Sequence, residues 1–297
     1  MPGLPPNARK EKIQDYKNQC GGIEWREERT MSADETRISL CVASVKCAPG
    51  SVSPVRAVYI LYLQGNASSI PPRLPFLSPV LRMLRNRASV PVTYTIVCCS
   101  YRGYWTSKGR PSERGIGMDA AAALKWIRES HRQEADELPT EHLPVVIWGQ
   151  SIGCAVATSL AAQPHIFSQS NLLLQMLILE TPFLSIRAML ATLYPQKWLP
   201  YKYLWPFLRN HLDSWAGLGL MQKRFKDYQL RPPGVLILEA SKDELVPKEH
   251  GDILEKRCFE LGLNVRKKVI GGALHTEIMA RPEGRLAVVE AIESGRQ

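Results

Sequence analysis

The 297-residue sequence lacks any apolar run long enough to cross a lipid bilayer. A membrane-spanning helix needs roughly 18 to 20 consecutive apolar residues. The strongest run, residues 172–179, is short and is interrupted by Gln175. Residues 1–12 contain prolines and basic side chains, but no apolar segment of the kind found in secretory signals follows them. We therefore expect a cytoplasmic protein, with peripheral contact with membranes as an open alternative.

Cysteine is present but in no pattern that indicates disulfides or zinc. The seven cysteines form no Cys-x-x-Cys pair. Their odd number, in a chain of this length, argues against a disulfide framework. We expect a reducing compartment, no metal and no other cofactor.

Acidic residues are fewer than basic ones, 28 against 38, which gives a net charge of +10. An excess of this kind favours an acidic partner surface such as anionic lipid or nucleic acid. Residues 182–232 contribute eight basic but two acidic side chains, together with ten of the 23 aromatic ones. Because no nucleic-acid module is recognisable, we expect a small-molecule substrate and peripheral contact with anionic membrane, and no nucleic acid.

Short β-branched or apolar runs alternate with longer helical segments along the chain. Near-continuous apolar runs such as residues 145–148 and 235–238 are typical of parallel strands that are covered on both faces. The alternation predicts an α/β fold with a doubly wound, mostly parallel sheet. The predicted strands are 37–46, 57–63, 92–99, 145–148, 176–180, 235–239 and 265–270, and the predicted helices are 117–130, 152–163, 248–261 and 283–294.

Two stretches interrupt this alternation. Residues 66–79 contain four prolines and predict a long loop, after which Ser78 caps a short helix that has Pro79 in its first position. Residues 182–232 are too long for an ordinary connection and predict a cap inserted over the C-terminal edge of the sheet. The expected organisation is an N-terminal tail over residues 1–22, a core over residues 23–181 and 233–297, and the cap between the two parts of the core.

The pattern Gly149-Gln150-Ser151-Ile152-Gly153 lies directly between a predicted strand and a predicted helix. A serine on a sharp strand-to-helix turn needs small neighbours two residues away on each side, and two glycines supply them. Such a turn exposes the hydroxyl next to a helix N-terminus, which favours developing negative charge. The pattern predicts that Ser151 is a nucleophile; a glycine-rich turn whose serine only caps the helix is the alternative.

A serine hydroxyl is a poor nucleophile unless a base and an acid activate it. His275 follows the last predicted strand, where a loop at the C-terminal edge of the sheet would place it. Asp243 follows the strand 235–239, which gives the order Ser, Asp, His along the chain. Glu244, its neighbour, and Glu180, at the end of the preceding strand, are competing acids.

The oxyanion of a tetrahedral intermediate requires two backbone N–H donors. We expect Ile152 to supply one, because it follows the nucleophile. The loop after the strand 57–63, Gln64-Gly65-Asn66, is expected to supply the other from Asn66, with Gly65 permitting the tight turn.

Taken in order, several segments of the chain resemble the α/β-hydrolase superfamily. They are Gln64-Gly65-Asn66, Tyr101-Arg102-Gly103-Tyr104, Gly109-x-Pro111-Ser112-Glu113, the serine turn (residues 149–153), Glu180-Thr181-Pro182-Phe183-Leu184-Ser185, the Asp243 segment and Leu274-His275-Thr276. More narrowly, residues 24–292 are similar to abhydrolase-domain serine hydrolases of the eukaryotic bud-emergence type. The sequence departs from the usual pattern at Gln64, Ser100 and Leu274, where relatives have His, Asp and Gly.

The resemblance implies an α/β-hydrolase fold with a helical cap insertion. It also implies cleavage of a carboxylic ester or thioester of an acyl chain through an acyl-enzyme on Ser151, since relatives include lysophospholipid hydrolases and protein depalmitoylases. The alternatives are a non-catalytic scaffold at the membrane or cell cortex, and an acyltransferase or a C–C bond hydrolase with the same triad.

The aromatic side chains of the predicted cap are candidate substrate contacts. Trp198, Tyr201 and Trp205 offer large apolar area close to basic side chains, which suits an acyl pocket or a lipid interface. We therefore expect these three residues to bind the substrate. An ordinary helical cap whose aromatic residues form their own small core is the alternative.

Overall fold

The computed structural model describes residues 7–47, 56–66, 69–134, 142–168, 171–193 and 210–295. The strands are β1 (Arg26–Met31), β2 (Arg37–Cys47), β3 (Arg56–Leu63), β4 (Val92–Ser100), β5 (Leu143–Gln150), β6 (Leu172–Glu180), β7 (Gly234–Ala240) and β8 (Val265–Ile270). They form one sheet in the order β1-β2-β4-β3-β5-β6-β7-β8.

Strand β2 runs antiparallel to both β1 and β4, and every other neighbouring pair is parallel. The predicted α/β fold with a mostly parallel sheet is therefore confirmed. Strand β1 was not predicted from the sequence, because its residues Arg-Glu-Glu-Arg-Thr-Met show little apolar character and none of them is buried. Charged side chains are common on an edge strand, since they discourage pairing with another chain.

Helices cover the sheet on both faces. They are α1 (Leu74–Arg87), α2 (Glu113–Glu134), α3 (Ile152–Ala161), α4 (Pro164–Ser168), α5 (Ile186–Leu193), α6 (Ser214–Asp227), α7 (Glu249–Glu260) and α8 (Pro282–Ser294), with 3-10 helices at Ile13–Cys20, Pro71–Arg73 and Ile278–Ala280. Helices α1 and α8 bury side chains on one face, and α2, α3, α6 and α7 on the other. Alternate residues of β5 point to the two cores: Val145 and Ile147 to one, Val146 and Trp148 to the other.

The prediction of a long proline-rich loop that ends at Ser78 is wrong, because α1 begins at Leu74 and contains Pro79 in its interior. Ser78 does not cap the helix; its Oγ donates to Leu74 O (2.7 Å) and accepts from Trp25 Nε1 (2.9 Å). An interior proline costs a helix about 3 kcal/mol. Four leucines outweigh this cost, since each buried one contributes roughly 1.5 to 3 kcal/mol; they are Leu74, Leu77, Leu81 and Leu84.

The segment predicted as a cap contains α5 and α6. Leu218, Met221 and Phe225 of α6 are buried in the same core as α3. Close packing of the two helices is shown by Gly217, where an added Cβ would lie 2.5 Å from Thr158 Oγ1. Helix α6 therefore belongs to the layer that covers the sheet.

Residues 194–209, between α5 and α6, are outside the described part of the chain, and the predicted substrate contacts Trp198, Tyr201 and Trp205 lie there. The cap and these contacts therefore stay predictions. The described part of the predicted N-terminal tail packs on the core: Ala8 and Cys20 are buried, and Trp105 Nε1 donates to Glu11 O (2.8 Å). Over the described residues, no helix has the length and apolar character that a membrane span requires.

Candidate active site

Ser151 lies in a strained turn between β5 and α3. Its backbone has φ 54° and ψ −117°, a conformation that costs a non-glycine residue about 1 to 3 kcal/mol. A Cβ atom on Gly149 would lie 2.3 Å from Gly153 O, and one on Gly153 would lie 2.0 Å from Leu63 O. Larger residues at either glycine would collide with main-chain atoms, so both glycines are required for this turn.

The loop after β3 passes directly beside this serine. A Cβ atom on Gly65 would lie 3.4 Å from Ser151 Cβ. Gly65 N already donates to Gln150 Oε1 (3.1 Å), which leaves the next N–H, that of Asn66, as the expected donor to an oxyanion. Tyr104 OH donates to Asn66 Oδ1 (2.7 Å) and holds that residue from the loop after β4.

Ile152, the second expected oxyanion donor, is the first residue of α3. The first N–H groups of a helix have no partner inside the helix, and the helix dipole favours negative charge there. The geometry of the turn is compatible with the roles assigned to Ile152 and Asn66, and both assignments stay predictions. Gln64 is fully buried, and its amide oxygen and nitrogen have no hydrogen-bond partner among the described residues.

Asp243 and His275 meet at the ends of β7 and β8. His275 Nδ1 lies 2.9 Å from Asp243 Oδ2 and 3.0 Å from Oδ1, and both side chains are largely buried. A carboxylate can only accept a hydrogen bond, so Nδ1 carries the proton and Nε2 is left with a free lone pair. This is the tautomer that a general base needs.

Asp243 is itself held by the loop in which it lies. Its Oδ1 accepts from Leu245 N (2.9 Å) and Val246 N (2.8 Å). Burial alone would raise the pKa of Asp243, but the hydrogen bonds from His275 and from these two backbone groups outweigh burial and lower the pKa below its ordinary value. The carboxyl group is therefore ionised at neutral pH.

The two competing acids have other partners. Glu244 Oε2 accepts from the backbone N of His275 (2.9 Å), so it supports the loop without contacting the ring. Glu180 is fully buried and accepts from Trp148 Nε1 (2.9 Å), and its Oε1 lies 3.6 Å from Arg73 Nη2. Among the three candidates, Asp243 is the acid that contacts the imidazole.

Ser151, Asp243 and His275 all follow strands at the carboxyl edge of the parallel sheet, at the ends of β5, β7 and β8. The contacts of the His275 ring with Asp243 use Nδ1, and in the described part of the chain Nε2 makes no hydrogen bond with Ser151. Such bonds are often long before substrate binds and tighten in the complex. The catalytic roles of the three residues stay predictions at this point.

Sequence reasoning missed the residues that hold these loops in place. The segment Tyr101-Arg102-Gly103-Tyr104 includes two of them: Tyr104 binds Asn66, and Arg102 pairs with Asp119 (2.8 Å) and Asp34 (2.6 Å). No sequence pattern identifies Arg73 as one of these residues, because most of its partners lie far from it along the chain. Within the ranges that the structure describes, no cluster of His, Cys, Asp and Glu is arranged to hold a metal ion.

Comparisons with known proteins agree with the fold. No family model matches the sequence. Protein bem46 of Schizosaccharomyces pombe is 30% identical over 208 residues, which are 70% of this chain and 58% of that protein. Lysophosphatidylserine lipase ABHD12 of Gallus gallus is 32% identical over 235 residues, which are 78% of this chain and 54% of that protein. The chain thus spans a little over half the length of these relatives.

A solved structure shows the same architecture. The alpha-beta hydrolase from Vibrio vulnificus superposes with a TM-score of 0.64 at 18% identity, over 97% of this chain and 89% of that one. This likeness establishes the α/β-hydrolase fold.

Proposed function

The chain is an α/β-hydrolase that belongs with the abhydrolase proteins of the bem46 type, and from this premise we propose that it is a serine hydrolase of carboxylic esters or thioesters. One observation carries the proposal: a serine in a strained turn and an Asp243–His275 pair lie at the same edge of the sheet. The acyl group of the substrate is transferred to Ser151 and then to water.

Acylation begins when Ser151 Oγ attacks the carbonyl carbon and its proton passes to His275 Nε2. Asp243 stabilises the resulting imidazolium through Nδ1, where its carboxylate lies 2.9 Å away. The N–H groups of Ile152 and Asn66 stabilise the oxyanion. His275 then gives the proton to the leaving alcohol or thiol, and the acyl group remains on Ser151.

Deacylation repeats these steps with water as the nucleophile. His275 accepts a proton from the water while the water oxygen attacks the acyl carbon. When the second tetrahedral intermediate collapses, the proton returns to Ser151 and the carboxylic acid leaves. An alcohol in place of water would make the same site an acyltransferase.

The expected substrate class is an acyl ester of a lysophospholipid. One relative is named a lysophosphatidylserine lipase, and the net charge of +10 suits an acidic head group or an anionic membrane surface. Peripheral contact with such a membrane, from the cytoplasmic side, is part of the proposal, as is the contribution of Trp198, Tyr201 and Trp205 to an acyl pocket.

Labelling with a fluorophosphonate probe tests the proposal, since the probe forms a covalent bond only with an activated serine. We expect the wild type to be labelled and Ser151→Ala to be unlabelled. Ser159→Ala is the matched control, because Ser159 is an exposed serine on the same helix α3, and it is expected to label as the wild type does. Equal labelling of Ser151→Ala would contradict the assignment, and an unlabelled wild type would favour the scaffold.

Release of fatty acid from lysophosphatidylserine, compared with lysophosphatidylcholine, tests the substrate class. Preference for the serine head group is the expected result. No release from either lipid by a protein that labels with the probe would exclude the lysophospholipid and keep the serine hydrolase.

A further inference from the structure

A buried polar cluster lies beside the loop that carries His275. Arg73, at the end of the 3-10 helix Pro71–Arg73, is almost completely buried. Its Nη1 donates to Thr276 O (3.0 Å), its Nε donates to Tyr62 OH (3.3 Å), and its Nη2 lies 3.6 Å from Glu180 Oε1. One guanidinium therefore joins β3, β6 and the loop after β8.

Glu180 connects the same cluster to the serine turn. Its backbone O accepts from Ser151 N (2.9 Å), and its carboxylate accepts from Trp148 Nε1 (2.9 Å). Burial raises the pKa of this carboxyl group against the opposing effects of Arg73, Trp148 and His275. Glu180 is therefore joined to the serine turn through its backbone and to Arg73 through its carboxylate.

We propose that Arg73 and Glu180 are positioning residues, which hold the His275 loop at a set distance from the Ser151 turn through Thr276 O and through the Glu180 backbone. The inference rests on the proposed hydrolase function and goes beyond it, because neither residue touches the substrate. Arginine can fill this role because its planar guanidinium can donate hydrogen bonds to several partners at once.

The charge of Glu180 is needed because a buried arginine without a counter-charge is strongly destabilising. Arg73 Nη2 and Glu180 Oε1 have no hydrogen-bond partner among the described residues, so their mutual attraction is the compensation available to both atoms. Other acidic groups also lie close to His275. These are Asp243 at the ring, Glu244 at its backbone N, and Glu277, which accepts from Leu274 N.

The test is the titration of the His275 imidazole by proton NMR, with the signal assigned through its loss in His275→Gln. Glu180→Gln keeps the shape and the Trp148 contact but leaves the Arg73 cation unbalanced. A nearby cation disfavours the imidazolium, so we expect the His275 midpoint to fall by about half a pH unit or more. Glu293→Gln is the matched control, because Glu293 pairs with Arg87 at the surface (3.1 Å). An unchanged midpoint in Glu180→Gln would overturn the inference.

Arg73→Lys gives a second measurement that holds even when Glu180→Gln does not fold. Lysine keeps the positive charge but lacks the planar guanidinium, so the contact that Arg73 Nη1 makes with Thr276 O is lost. We expect the Glu277 amide, which donates to Leu274 O, to exchange with solvent about tenfold faster, and probe labelling of Ser151 to slow about tenfold. Arg87→Lys is the control. Unchanged exchange and labelling would contradict the positioning role.

These outcomes separate the inference from the proposed function. The titration and the exchange require no turnover. Absent labelling of the wild type, with the midpoint and the exchange rate still shifted in the variants, would overturn the hydrolase and keep the coupling of Arg73 and Glu180 to the histidine loop.

Discussion

Replacement of Asp243 by Asn provides the sharpest test of the site, because the structure dictates how the new side chain must lie. Oδ1 of residue 243 accepts from two backbone groups, Leu245 N and Val246 N, and only an oxygen can keep both bonds. The amide nitrogen of the asparagine then takes the place of Oδ2, 2.9 Å from His275 Nδ1. The amide oxygen stays at the Oδ1 position, 3.0 Å from Nδ1, but both of its lone pairs are already used by the two backbone N–H groups. An NH₂ group cannot accept a hydrogen bond.

We therefore expect the imidazole to change its tautomer in Asp243→Asn, because the NH₂ group can donate only to an unprotonated Nδ1. Nδ1 becomes the acceptor, the proton moves to Nε2, and the lone pair that should receive the serine proton is lost. The wrong tautomer and the missing negative charge lower kcat by roughly 10³ to 10⁴ in triads of this kind, which corresponds to about 4 to 5.5 kcal/mol in the activation barrier. Both backbone bonds survive, so the variant should remain folded.

Initial rates with a short p-nitrophenyl ester, together with a thermal unfolding curve, measure both quantities. Glu244→Gln is the matched control, since the hydrogen bond between Glu244 and His275 involves the backbone N and not the ring; we expect this variant to lose less than tenfold in kcat. A folded Asp243→Asn protein with more than a tenth of the wild-type kcat would refute the reasoning. A larger loss in Glu244→Gln would move the acid to that neighbour.

Further predictions concern the turn, the oxyanion loop, pH and the acyl chain. Gly153→Ala should destabilise the fold by about 3 kcal/mol or more in urea unfolding, whereas Gly117→Ala, where a Cβ meets nothing within 4 Å, should be neutral or slightly stabilising. Tyr104→Phe, which frees Asn66 Oδ1, should lower kcat several-fold with little change in KM. Because its pKa is lowered in the folded state, Asp243 stabilises the fold above its unfolded pKa and this stability is lost on acidification, so between about pH 5 and about pH 3 the wild-type Tm should fall more steeply than that of Asp243→Asn. With p-nitrophenyl esters, kcat/KM should rise several-fold per two added carbons, and an optimum at acetyl would exclude an acyl pocket.

Local pattern was sufficient to predict the serine turn and the parallel strands that precede Ser151, Asp243 and His275. A Cβ atom at Gly149 would collide with Gly153 O, and one at Gly153 would collide with Leu63 O, so the turn requires both glycines. The five-residue pattern around Ser151 contains both of them and therefore predicts the turn. Parallel strands bring all their carboxyl ends to one edge, which is why Asp243 and His275 could be proposed from their positions after β7 and β8. Distances between side chains did not enter that prediction.

Other features depend on contacts between residues that are far apart in the chain. The choice among Asp243, Glu244 and Glu180 needed the direction of each carboxylate, which the sequence does not contain. The start of helix α1 was placed at Pro79 instead of Leu74, because the local proline content opposes a helix there, while the stability of α1 comes from leucines packed on the sheet. In such cases tertiary burial outweighs local propensity.

Sheet geometry explains why the histidine loop needs a support of its own. Strands β5, β6, β7 and β8 are successive neighbours, so the strand of Ser151 and the strand before His275 are three spacings, or about 14 Å, apart. The proposed proton transfer from Ser151 to His275 requires a hydrogen-bond distance between the two side chains. The loop after β8 must therefore extend across the end of β7 towards β6. Arg73 donates to Thr276 O on that loop and pairs with Glu180 at the end of β6. These two contacts connect the loop to β6, which is the side on which His275 must lie to reach Ser151.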